Sequence, residues 1–123
     1  MEVIESECRG VPMLTVAGDI DHDNALLLWA VAERALEGRT SRTLLLDFSD
    51  VLYVDSGGLS VLLRLLTTLA PGDWLGLIRP QPMVLNLLHT SGLTAEKSLR
   101  LFSSMEGARK AVGPERSQKD GEG

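Results

Sequence analysis

Asp55–Ser56–Gly57–Gly58 brings an acid, a hydroxyl and two glycines together where an apolar run gives way to a helical pattern. A serine at the mouth of a helix lies where backbone N–H groups point outward. It can hold an anion there or offer its hydroxyl to a partner. Phosphate on that hydroxyl would add a large negative charge to a neutral group. The pattern leaves two roles open to Ser56: the helix N-cap, for which serine is a preferred residue, and a phosphoacceptor. The two are compatible, because a cap hydroxyl is accessible and its phosphate would rest on the helix N-terminus.

Other chemistries find less support. Asp19, Asp21 and Asp23 hold spacings 1, 3 and 5 of a calcium loop, but Asn24 stands at the turn glycine and Ala30 at the bidentate glutamate. No metal site is expected. Asp47 could accept phosphate in a receiver-like domain, yet Ser103 and Ser104 follow the last strand where a lysine is required. His22 and His89 are the only histidines, and no motif links either to Cys8 or Ser56 as a nucleophilic set. His22 reads as solvated in an acidic loop, and His89 as a surface or capping residue near a helix end. There is no glycine-rich nucleotide loop of either common type. The chain reads as a non-enzyme without a cofactor.

Composition narrows the class. The 123 residues carry 44% hydrophobic and 24% charged side chains, values suited to one folded unit. A net charge of −5 argues against nucleic acid or an anionic membrane as partner. The single cysteine, Cys8, suits a reducing compartment. No apolar run approaches the roughly 20 residues of a membrane span, and MEVIESE lacks the features of a secretory leader. A soluble cytoplasmic protein is expected, with one domain over residues 1–112 and a disordered tail over 113–123.

The elements that must position Ser56 follow from periodicity and turn residues. Val3–Ile4 and Met13–Val16 read as a hairpin about Arg9–Gly10. A helix is predicted from about Asn24 to Glu37, with Ala25, Leu28, Trp29, Ala32 and Leu36 inward and Gly38 ending it. Thr43–Phe48 reads as a buried central strand. A second helix runs from about Ser56 to Leu69, with Leu59, Leu62, Leu63 and Leu66 on the inner stripe. Trp74–Ile78 is a strand, Pro82 starts a third helix ending at Gly92, Leu99–Phe102 is the last strand, and Ser104 caps a final helix through Val112. The order predicts an α/β fold with a mixed sheet of about five strands, opened by an N-terminal hairpin, and about four helices. Apolar residues exceed what one helix face can bury, notably Leu26–Leu27–Leu28, Val61 and Leu65, so apolar surface near Ser56 is one expectation.

The DSGGL of Asp55–Leu59, after LLLDFSDVLYV, resembles the phosphorylation motif of the bacterial anti-anti-sigma factors, which are STAS domains. Asp47–Phe48–Ser49 is similar to the family's D-L-S tripeptide, and Gly18–Asp19–Ile20–Asp21 to its G-E-[LI]-D. Pro82–Leu93 is similar to its third helix. Gly57 and Ser60 depart from the family pattern, where Ser or Thr and Gly are usual. The resemblance implies a STAS fold and an anti-sigma factor antagonist. Unphosphorylated, such a protein binds a serine-kinase anti-sigma factor and frees a sigma factor. Phosphorylation of Ser56 switches it off, and a serine phosphatase resets it. It implies a partner surface at Asp21, Asp23, Asp55, Gly57, Gly58 and Leu59. The alternative is a STAS subunit of a signalling scaffold or a lipid-transport complex.

Overall fold

A computed structural model describes residues 1–114; the tail expected to be disordered lies, from residue 115, outside the described residues. The elements run β1 (Glu2–Cys8), β2 (Val11–Ala17), α1 (Ala25–Leu36), β3 (Leu44–Asp50), α2 (Ser56–Thr67), β4 (Leu75–Ile78), α3 (Pro82–Thr90), a 3-10 turn (Leu93–Ala95), β5 (Leu99–Phe102) and α4 (Met105–Val112). The five strands form one sheet in sequence order. β1 and β2 pair antiparallel, and β2 through β5 are parallel. The expected STAS-type mixed sheet with its opening hairpin is therefore present. Arg9 and Gly10 both have positive φ, which lets a two-residue turn follow the twist of the hairpin.

The sheet is covered on both faces. Leu44, Leu46 and Phe48 of β3 pack with the buried stripes of α1, α2 and α3, whereas Leu45 packs on the opposite face with Trp74, Ile78 and α4. Strict alternation on a doubly covered strand gives the continuous apolar run seen in the sequence. Asp47, a buried charge in that run, is held by an ion pair to Arg79 at 3.1 Å and by the Ser49 N–H at 3.0 Å. That structural pairing occupies the carboxylate a receiver-like reading would have used.

The inner stripe of α2 differs from the expected one. Gly58, Val61, Leu62, Leu65 and Leu66 are buried, while Leu63 is 51% exposed and Leu59 is half-buried. The stripe is rotated by one residue, about 100°, because Gly58 lets the helix press its first turn onto Ile20 and Val54. A Cβ on Gly58 would come within 2.7 Å of Val54 Cγ1 and 2.9 Å of Ile20 Cγ2. On α1, Leu26 and Leu27 are 65% and 56% exposed. The apolar surplus on α1 and α2 is thus partly at the surface.

Candidate functional site

Ser56 lies at the edge of the sheet where the parallel strands end. The β2–β3 ladder continues into the loops there. Ile20 and Val54 form a parallel bridge, with Ile20 N–H donating to the Tyr53 carbonyl at 2.9 Å and Asp55 N–H to the Ile20 carbonyl at 3.1 Å. This extension lays Asp21 and His22 alongside Asp55 and Ser56, 33 to 35 residues apart in sequence.

The N-cap of α2 is Asp55, not Ser56. Asp55 is extended, and its Oδ1 accepts from the N–H groups of Gly57 at 2.8 Å and Gly58 at 3.1 Å. An aspartate caps as well as a serine and adds a charge that favours the positive helix end. Ser56 is therefore the first helical residue. Its side chain is exposed and makes no hydrogen bond among the described residues. Its carbonyl accepts from Ser60 Oγ at 2.9 Å.

The other oxygen of Asp55 holds the neighbouring loop. Asp55 Oδ2 accepts from the His22 N–H at 3.1 Å and meets His22 Nδ1 at 3.3 Å. Gly57 completes the latch. A Cβ there would stand 2.6 Å from His22 Cα and 2.9 Å from His22 N, so only glycine lets the loop lie this close. This accounts physically for the departure of Gly57 from the Ser or Thr usual in the family. Partial burial works against the charge of Asp55, but the Gly58 N–H, the His22 ring and N–H, and the Gly57 N–H outweigh it and hold its carboxyl below the ordinary value. The His22 imidazole is raised, chiefly by its hydrogen bond to Asp55 and then by the charges of Asp23, Asp55 and Asp21.

The remaining expected residues divide. Asp21 turns inward to its own loop, its Oδ1 accepting from the N–H groups of Asp23 and Asn24 at 3.0 and 3.1 Å. That bonding is a local cap ahead of α1. Asp23 is exposed, 3.5 Å from His22 Nε2. Both nitrogens of the imidazole thus face carboxylates, and no hydrogen bond joins the ring to Ser56. Leu59 is half-buried, one turn below Ser56. Leu26, Leu27, Leu52 and Tyr53, on segments at this same edge, are exposed. His22 is exposed, as its place in an acidic loop suggests; its bond to Asp55 was not legible in the sequence, where Gly57 in place of the usual hydroxyl residue is the one signal.

The latch carries a pH signature. A histidine whose folded pKa is raised contributes stability that is complete below its unfolded value near 6.5 and is lost as pH rises through the folded value. Asp55 has the opposite sense: its contribution is present above the unfolded carboxylate value and fades as pH falls through the depressed one. Between pH 6 and about 8, the melting temperature of the wild type should fall relative to that of His22→Gln. Parallel melting profiles for the two proteins would show that His22 is free.

The family model described as Mlab, STAS domain matches residues 5–102. The chain is 42% identical over 53 residues to the intermembrane phospholipid transport system binding protein MlaB of Escherichia coli (strain K12), covering 43% of this chain and 50% of that protein. The match thus spans about half the length of this curated relative. Among solved structures, an anti-sigma factor antagonist from Mycobacterium paratuberculosis superposes with a TM-score of 0.79 at 24% identity, over 90% of this chain and 92% of that one. The Bacillus cell fate determinant SpoIIAA in its phosphorylated form gives 0.68 at 21%, over 90% and 99%. At these identities the structural likeness is one of fold.

Proposed function

The chain belongs to the STAS domain family, and from that premise we propose that it is a non-enzymatic docking subunit of an intermembrane phospholipid transport system. It engages its protein partner through the edge that carries Ser56. The identity shared with MlaB is the observation that carries this reading over the anti-sigma alternative. Geometry supports docking in general: an exposed, unbonded serine at a capped helix start, with Leu26, Leu27, Leu52 and Tyr53 exposed at the same edge. Exposed apolar residues and a free serine hydroxyl at one edge of the sheet suit a protein interface better than catalysis.

Ser56 gives this edge a means of control. Phosphate there would put a charge near −2 beside Asp23 and Asp55, and burying it unpaired in an interface opposes docking. A second reading follows from the same free hydroxyl. In it the protein is an anti-sigma factor antagonist whose partner is a serine-kinase anti-sigma factor, with phosphorylation at Ser56 reversed by a serine phosphatase. Both readings take the protein to be cytoplasmic; no described helix is long and apolar enough to cross a membrane.

Capture with Ser56→Ala as bait in its native cells, followed by mass spectrometry, separates the two. Enrichment of a phospholipid-transport subunit is the expected result. Enrichment of an anti-sigma kinase that phosphorylates Ser56 would replace the first reading with the second. A partner held equally by Ser56→Asp would contradict both.

A further inference from the structure

A groove of about 330 Å³ runs from Ser56 along the flank of α2, between that helix and the turn that follows α3. Its floor is apolar, built by Leu59, Leu63 and Leu93. Of its three hydroxyls two are committed to backbone carbonyls, and the third is the free Ser56 hydroxyl at one end. Ser60 Oγ donates to the Ser56 carbonyl at 2.9 Å and Ser91 Oγ to the Leu88 carbonyl at 3.0 Å. With their protons committed, both hydroxyl oxygens are left as acceptors. Glu96 is the one charged residue in the lining, and it makes no ion pair among the described residues. Arg64, next to Leu63, is drawn away over the Trp29 ring of α1 at 4.3 Å and leaves the groove without a cation.

An apolar floor under acceptors and a carboxylate complements a side chain with an aliphatic stem and a cationic, donor-only head. We propose that this groove is a docking slot for a basic amphipathic segment of the partner protein, with its apolar side chains over Leu59, Leu63 and Leu93 and a lysine or arginine against Glu96. The inference rests on the docking reading above and extends it by naming the partner's chemistry. The topology keeps the two ends of the slot apart. Ser56 follows β3 at the C-terminal edge of the parallel strands, whereas Glu96 precedes β5 at their N-terminal edge. Ser56 and Leu63 alone are about 10 Å apart along the helix. A cation seated on Glu96 therefore lies at the far end of the slot from a phosphate on Ser56.

The test uses a short acetylated, amidated peptide with leucine and arginine at helical spacing, and its counterpart with glutamate for arginine. NMR titration of the full chain should move the amides of Leu63, Ser91, Gly92 and Glu96. Glu96→Lys, at an exposed and unpaired position, should weaken the arginine peptide at least about tenfold and bind the glutamate peptide instead. Leu63→Gln should weaken both. Shifts confined to the Asp19–Asp23 loop, or equal affinity of wild type and Glu96→Lys for the arginine peptide, would overturn the slot. No docking partner enters the titration, so its failure leaves the role of Ser56 to the capture experiment. A seated peptide beside a partner indifferent to Ser56 would overturn that role alone.

Discussion

Gly57→Ala is expected to destabilise the protein by about 1–3 kcal/mol, toward the upper end of that range. An alanine in a helix is otherwise favoured over glycine by up to about 1 kcal/mol, so the sign rests on the space available. The added Cβ would meet His22 Cα at 2.6 Å, a backbone atom rather than the tip of a flexible side chain. The loop must retreat, and in doing so it gives up the two His22 contacts on Asp55 Oδ2. Denaturant unfolding reads the first effect. NMR titration of the His22 ring reads the second, as a fall of its pKa toward the ordinary value once Asp55 is out of reach. A Gly57→Ala protein as stable as the wild type, with an unmoved His22 titration, would show that the close approach is not needed.

The sequence revealed the order of elements because their ends carry strong local signals. Gly38 and Gly92 take positive φ just after α1 and α3, Pro82 opens α3, and the Ser104 hydroxyl accepts from the Gly107 N–H at the start of α4. The orientation of α2 was harder to read, since Leu59, Val61, Leu62, Leu63, Leu65 and Leu66 make an apolar arc wider than one buried stripe needs. A stripe cannot be chosen by hydrophobicity when two adjacent stripes are both apolar. The choice is made by Gly58, which buries its side because it has no Cβ to hold the helix off Val54. The cap shifted by a single residue, from Ser56 to Asp55, because both types cap well and only backbone geometry decides between them. The latch to His22 and the pairing of Asp47 with Arg79 each join residues more than 30 positions apart, beyond the reach of local pattern.

That one-residue shift makes Ser56 a clean probe. Because Asp55 does the capping, Ser56→Ala should change stability by less than about 0.5 kcal/mol. Ser56→Asp places an acid in the first helical turn, which the helix dipole favours, so its fold is preserved as well. Neither variant disturbs the Ser60 hydrogen bond, which ends on the backbone carbonyl of Ser56. Differences in partner binding then report on the interface rather than on folding. An aspartate brings about half the charge of a phosphate and must be desolvated beside Asp23 and Asp55. A loss of at least tenfold in affinity, or about 1.4 kcal/mol, is the expected minimum. The most direct measurement is titration calorimetry of the partner captured by Ser56→Ala against wild type, Ser56→Ala and Ser56→Asp. Docking controlled at Ser56 predicts matching affinities for the first two and at least a tenfold weaker one for Ser56→Asp. Equal affinity for all three would contradict it.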